Sequence, residues 1–286
     1  MTGHGSASYN PKHFNVTFPR EYIAHVETNR ADKLNAYFED MWIELRQVFD
    51  QLSVDPNVRA VVFSGAGPRA FSAGLDVKAA AKGVLGGKGE AEIPDPGRAA
   101  AQLRRHVASF QDCITAIEKC EKPVICVMHG INYGLAIDIS STADVRICSR
   151  DSQFCVKEVD IGIAADIGTL TRLPKVVGHF GWVKEVCLTA RVFGAEEAMR
   201  VGFVNSVYES KDDSVKAAIE LGELMASKSP IAVQGTKELL NWSRDHNIQD
   251  GLRYTGVWNS AALQSADVPT ALLSGLQKRK PTFEKL

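Results

Sequence analysis

Between Tyr22 and Ser64 the apolar pattern changes period twice, and that change restricts the fold class more than any other feature of the chain. Tyr22 to Glu27 alternates around Ile23, Ala24 and Val26, and Val58 to Ser64 carries the denser run Val61-Val62-Phe63, so both read as strands. Between them, Phe38, Trp42, Leu45, Val48, Phe49 and Leu52 recur at helical spacing and make one buried face. Asp55-Pro56 then turns the chain back toward the sheet. The pattern recurs with a helix from about Gln102 to Lys119, a strand from Pro123 to Met128, a short helix from Leu135 to Ser141 and a strand from Asp144 to Cys148. Such alternation predicts an α/β fold, with helices packed over a mainly parallel sheet.

A chain of 286 residues can bury a large core of this kind. Its 33 basic and 34 acidic residues leave a net charge of -1, which gives no electrostatic reason to expect a nucleic-acid or anionic-membrane partner. No run approaches the ~18 apolar residues of a membrane span. The six cysteines have neither CxxC spacing nor histidines at metal-site spacing, so they read as reduced core residues and no metal site is expected. Met1 to Lys12 lacks both a secretory apolar segment and an arginine-rich amphipathic leader, and reads as a flexible tail. Residues 79 to 98, with Gly83, Gly86, Gly87, Gly89, Pro94, Pro96 and Gly97, have the composition of a loop or lid. Residues 13 to 205 form the expected core. Residues 206 to 286 form a helical region, with helices at Asp213 to Ser227, Ile231 to Arg244 and Asp250 to Ala266 suited to covering a site or packing on another subunit.

Within the core, Glu158 and Asp166 stand eight residues apart in an apolar, glycine-punctuated run. Burial raises a carboxylate's pKa and a second carboxylate raises it further, which is how Asp or Glu exchanges protons near neutral pH. Two glycine turns follow strands, at Phe71-Ser72-Ala73-Gly74-Leu75-Asp76 and at His129-Gly130 leading to Gly134. Turns of this kind aim backbone N–H groups outward and together offer two donors for an oxyanion. His129, at a strand end, reads as structural. No P-loop, dinucleotide fingerprint, GxSxG or HExxH occurs.

Taken together, these residues resemble the crotonase (enoyl-CoA hydratase/isomerase) superfamily from about Phe14 to Leu276, through Ala70 to Asp76, Lys122-Pro123-Val124 and His129-Gly130. Lys157 to Leu170, followed by Arg172-Leu173-Pro174-Lys175, resembles the signature of its Δ3,5-Δ2,4-dienoyl-CoA isomerases, as do Ser227-Lys228-Ser229-Pro230, Val233 to Lys237 and Ser243 to His246. The resemblance implies a spiral of repeated ββα units with a C-terminal helical region that assembles trimers or hexamers. It also implies a coenzyme A thioester as substrate, held by backbone N–H groups that fall on Leu75 and Leu135, with three acidic positions on Asp138, Glu158 and Asp166. One departure is local: the superfamily's three consecutive glycines after His-Gly are here Gly134-Leu135-Ala136, which adds side chains near the acyl group.

The implied reaction removes a C2 proton from a 3,5-dienoyl thioester and adds one at C6, giving the conjugated 2,4-diene in unsaturated fatty acid β-oxidation. A shift of that length calls for two carboxyl groups, Asp166 at C2 and Glu158 at C6, with no cofactor beyond the substrate's own coenzyme A. Expected phosphate contacts are Arg30 and Lys33, together with Lys278, Arg279 and Lys280 from an adjoining subunit; Ala73 beside the first donor completes the coenzyme A contacts. Competing structural roles are ion pairing of Glu158 with Lys157 or Arg172, helix capping at Gly168-Thr169 by Asp166, and capping or charge tuning by Asp138. Asp160 reads as structural. Competing functions are enoyl-CoA hydratase, whose positions matching Asp166 and Asp138 are usually glycine and glutamate, Δ3,Δ2-enoyl-CoA isomerase, and a non-catalytic acyl-CoA-binding scaffold. Glu284-Lys285-Leu286 falls one residue short of the Ser-Lys-Leu address, pointing to the peroxisome, with the mitochondrion as the alternative.

Overall fold

The computed structural model describes residues 9–81 and 95–286. The chain opens with β1 (Phe14–Arg20), β2 (Ile23–Thr28), α1 (Glu39–Val54), β3 (Ala60–Gly65), β4 (Ala70–Ser72), α2 (Val77–Ala80) and α3 (Pro96–Lys119). It continues through β5 (Val124–Met128), β6 (Ile131–Tyr133), α4 (Leu135–Thr142), β7 (Val145–Ser149) and β8 (Gln153–Cys155) to a 3-10 helix at Glu158–Ile161. Next come α5 (Thr169–Val176), α6 (Phe180–Thr189), β9 (Phe193–Gly194), α7 (Ala195–Arg200) and β10 (Ser206–Tyr208). Four helices close the chain: α8 (Lys211–Ala226), α9 (Pro230–Ser243), α10 (Ile248–Ala262) and α11 (Asp267–Leu276).

The three pairs β3-β4, β5-β6 and β7-β8 divide their strands between two sheets, whereas β1 and β2 both lie in the first. One sheet has the order β1-β2-β3-β5-β7-β10 and the other β4-β6-β8-β9. In those three pairs the longer strand enters the first sheet, the three-residue strand after it enters the second, and the chain then leaves as helix. Pairings from β2 through β3, β5 and β7 to β10 are parallel, as are those from β4 through β6 to β8. This is the expected α/β spiral of ββα units. Strands β3 and β5 are buried along their whole length, as parallel strands covered on both faces must be. On one face, α1 contributes Trp42, Leu45, Val48, Phe49 and Leu52 to a cluster with Phe63, Ile114 and Cys126. On the other, Ala218 and Ala226 of α8 pack on Ile23, Ala60, Val62 and Ile125.

Three boundaries differ from the sequence expectation. Part of the 79 to 98 segment is helical, because Asp95 caps α3 at Gly97 N and Arg98 N and Pro96 opens it; residues 82–94 lie outside the described residues. Residues 1–8 of the expected tail also lie outside them, but Tyr9 to Lys12 are held: the Tyr9 hydroxyl donates to Asp55 at 2.8 Å and Lys12 N donates to Glu44. The core also continues past residue 205, since β10 extends the parallel sheet and α8 covers it, leaving α9 to α11 as the outlying helical layer. All six cysteines are buried and unpaired by disulfide. Among the described residues, no helix is long and apolar enough to cross a membrane.

Candidate active site

The first predicted donor sits in a turn that the chain grips from both sides. Tyr37 N donates to Gly74 O at 2.8 Å and Asp76 N donates to Tyr37 O at 2.7 Å, so the intervening Leu75 peptide is fixed. Ser72 Oγ adds a brace, donating to Asn35 O and accepting from Gly74 N. Gly74 is required here: its φ is +92°, and a Cβ would meet Tyr133 O at 2.7 Å and lie 3.5 Å from Leu135 N. That near-contact brings the Leu75 turn against the first residue of α4, whose N–H has no partner within the helix. Neither the Leu75 nor the Leu135 amide bonds to another described residue, so the structure brings two adjacent donors together.

Glu158 reaches the same place from β8. Gly134 N donates to Cys155 O at 2.9 Å, tying the start of α4 to the end of β8, and the 3-10 helix then turns Glu158 inward. A Cβ on Gly134, whose φ is +54°, would stand 3.3 Å from Glu158 Oε1, so the glycine leaves room for that carboxyl group. Glu158 is buried, and its Oε2 has no hydrogen-bond partner among the described residues. The cations proposed for it go elsewhere: Lys157 pairs with Asp160, and Arg172 with Glu118 at 2.9 Å. Burial, reinforced by the nearby charge of Asp166, pushes the Glu158 carboxyl above its ordinary pKa.

Asp138, on α4, is completely enclosed. Its Oδ1 accepts from Thr169 N at 2.6 Å and Thr169 Oγ1 at 2.8 Å, so Asp138 rather than Asp166 caps α5. Burial first, and the Glu158 charge second, push Asp138 up to about 7 against the opposing pull of the Thr169 bonds. Asp166 is exposed and stands just ahead of α5, with its carbonyl held by Gln111 Nε2 at 2.5 Å. The charges of Glu158 and Asp166 both act on Asp138, and that of Asp166 acts on Glu158.

The predicted coenzyme A contacts divide. Lys33, Lys278, Arg279 and Lys280 are exposed. Arg30 is already engaged: its guanidinium bonds Asp76 at 2.8 Å and Ala36 O at 2.7 Å and lies 5.0 Å from the Phe38 ring centroid, so it braces the first donor's turn rather than presenting an open charge. Ala73 N is held by Leu34 O beside that turn. His129 is fully buried with Nε2 on Gly67 O at 2.8 Å, and burial drives it down to about 4, in keeping with a structural group. Sequence reasoning gave no role to Gln111 or Glu118, took Arg172 only as a partner for Glu158, and took Thr169 only as the start of a capped helix; the structure sets Arg172 and Arg244 on Glu118 and Thr169 on Asp138.

A family model described as enoyl-CoA hydratase/isomerase matches residues 20–285. The mitochondrial Δ3,5-Δ2,4-dienoyl-CoA isomerase of Rattus norvegicus is 41% identical over 98% of this chain and 85% of its own length. The peroxisomal Δ3,5-Δ2,4-dienoyl-CoA isomerase of Arabidopsis thaliana is 40% identical over 92% of this chain and 93% of its own. The crystal structure of an enoyl-CoA hydratase from Bacillus anthracis superposes with a TM-score of 0.85 at 27% identity, covering 96% of this chain and 99% of that one. With the paired donors and the acidic cluster set on the spiral fold, these matches show that the chain belongs to the enoyl-CoA hydratase/isomerase family.

Proposed function

We propose that this enzyme converts a 3,5-dienoyl-CoA into the conjugated 2,4-dienoyl-CoA during β-oxidation of unsaturated fatty acids. The observation that carries the reading is the environment of Glu158, a buried carboxyl group with no cation and an unpartnered oxygen among the described residues, close enough to Asp166 to sense its charge. Burial favours the protonated form of Glu158, which suits it to give a proton. Asp166, in contact with water, takes the C2 proton. The charge that gathers on the thioester oxygen falls to the Leu75 and Leu135 N–H groups, donors whose stabilisation is worth on the order of 3 kcal/mol each in comparable sites. Asp138 holds α5 in place and sets the charge around the pair. The names of the relatives support this substrate class, and the acid–base and donor groups together account for the steps with no cofactor beyond the substrate's coenzyme A.

The test supplies purified protein with 3,5-dienoyl-CoA and follows absorbance of the conjugated product, with 2-enoyl-CoA hydration and 3-enoyl-CoA isomerisation in parallel. Diene formation is expected to dominate. Rapid hydration without it would overturn the reading in favour of a hydratase, and binding without turnover of any of the three would favour a scaffold.

A homo-oligomer, trimer or hexamer, belongs to the same proposal. Helix α10 buries none of its residues, and Ile248, Leu252, Val257, Leu272 and Leu276 are exposed on the outlying layer, an apolar surface of the kind that subunits cover. Light scattering of the purified chain checks it. Relatives carry both mitochondrial and peroxisomal names, so either compartment fits this chain. Imaging of a chain tagged at its N-terminus distinguishes the two.

A further inference from the structure

A proton shift shared between two acids leaves the enzyme in the wrong protonation state after each turnover, and the surroundings of Asp166 bear on how it recovers. By the reaction proposed above, the C2–H bond breaks, its electron pair enters the dienolate and the proton forms an O–H bond on Asp166. The Glu158 O–H bond then breaks as C6–H forms. Asp166 is left protonated and Glu158 ionised, the reverse of the starting state, so one proton must leave the first and one must reach the second.

Asp166 lies on the wall of a cavity of about 290 Å³ that it shares with Gln111, Thr115, Glu118, Arg172 and Arg244. Acyl pockets are lined mainly by apolar side chains, whereas these walls, Ala165 and Ile167 apart, are polar and suit water, of which the volume holds several at ~30 Å³ each. The frame is tied together: Arg172 Nη2 donates to Thr115 Oγ1 at 2.9 Å and to Glu118 at 2.9 Å, and Arg244 closes on the same carboxylate. Glu158 is buried and is not one of the cavity's walls. The two acids therefore have unequal access to solvent on this side of the site.

We infer that this cavity is the proton exit of Asp166, through which water carries the C2 proton to bulk solvent, so that the hydrogen arriving at C6 derives from solvent rather than from C2. The inference rests on the dienoyl-CoA isomerase reading and adds the route by which that site is reset. Water is the only co-reactant, giving one proton and taking one in each cycle.

The experiment gives the full-length enzyme a 3,5-dienoyl-CoA deuterated at both C2 positions, in H₂O, and reads the product by NMR over many turnovers. The expected product keeps one deuterium at C2 and carries none at C6; unlabelled substrate in D₂O should gain one at C6. Deuterium passing from C2 to C6 in most product molecules would overturn the inference while leaving the isomerase reading intact. Absence of any 2,4-dienoyl product would sink the isomerase reading itself. Thr115→Leu, which fills part of the cavity, should raise C2-to-C6 transfer at least several-fold and slow multiple turnovers more than a single turnover; Thr115→Val should do so more weakly if the larger side chain prevents folding. A label pattern and turnover ratio unchanged in a folded variant would separate the cavity from proton exit and overturn the assignment.

Discussion

Glu158 and Asp166 are eight residues apart in the chain, yet they occupy different media. Glu158 closes a buried corner between the start of α4 and the 3-10 helix, without a cation and with an oxygen left unpartnered among the described residues. Asp166 stands in the open beside a polar cavity, on a segment pinned by Gln111 to α3 and leading into α5. Identical chemistry in both places would give two acids of similar readiness. Unequal burial separates a proton donor from a proton acceptor, which is what a shift between distant carbons needs.

Removing either carboxyl group breaks that division, and the largest effect is expected from Asp166→Asn. An amide cannot accept the C2 proton, so turnover should fall by ~10³-fold, within the ~10² to 10⁴-fold range of general acid–base catalysis. Glu158→Gln should cost ~10²-fold or more in diene formation and spare C2 chemistry, so exchange of the C2 hydrogens with D₂O should persist. Loss of exchange in Glu158→Gln together with its retention in Asp166→Asn would reverse the assignment of the two acids.

The backbone donors differ from the acids in depending on the geometry of one turn. Gly74→Ala would put a Cβ into Tyr133 O at a φ of +92° and push the Leu75 turn away from α4. Strain of this kind costs ~1 to 3 kcal/mol, and loss of one oxyanion donor costs ~10² to 10³ in kcat. A fall in kcat of ~10²-fold with both acids intact is expected; near-normal turnover would show that the thioester oxygen is held elsewhere.

These contrasts were legible in the sequence to different degrees, for physical reasons. The face of α1 could be read because its apolar residues repeat at the helical period, and five of the six predicted positions are buried in it, with Phe38 at its cap. Strands β4, β6 and β8 have three residues each, too few to express a period, so the second sheet was carried by resemblance alone. Both carboxylates stood out as charges in an apolar run, but their unequal exposure depends on tertiary packing. The capping of α5 by Asp138 joins residues 31 apart, and nothing local announces it. Arg30 shows the converse: its charge suggested a phosphate contact, while Asp76, distant in sequence, holds it.

Asp138 makes the buried side of the site sensitive to pH. Its folded-state pKa, about 7, lies above the unfolded carboxylate value near ~4. The folded state therefore binds more protons between those values, and this contribution to stability is fully present below ~4 and lost as pH rises through about 7. Raised in the same direction, Glu158 adds to the trend. Asp138→Asn keeps an oxygen for the Thr169 N–H and carries no charge, so its denaturant midpoint should change less between pH 5 and pH 8 than that of the native chain. An equal slope in both would place the titration in another group.

The mildest expected effect comes from Thr169→Val, which deletes one of two bonds to Asp138 and preserves shape. The backbone N–H of residue 169 still donates at 2.6 Å, so α5 keeps its cap, and the lost hydroxyl bond at 2.8 Å should cost ~1 kcal/mol of stability. Because α5 begins just after Asp166, slight loosening of the cap should act on the exposed acid and not on Glu158, which the 3-10 helix holds independently. Turnover should fall only a few-fold with KM unchanged, and the fall should be lost in the Asp166→Asn background, where no base remains to misplace. A full, additive loss in the double variant would mean that Thr169 acts through the buried acids, joining the two media that the fold otherwise keeps apart.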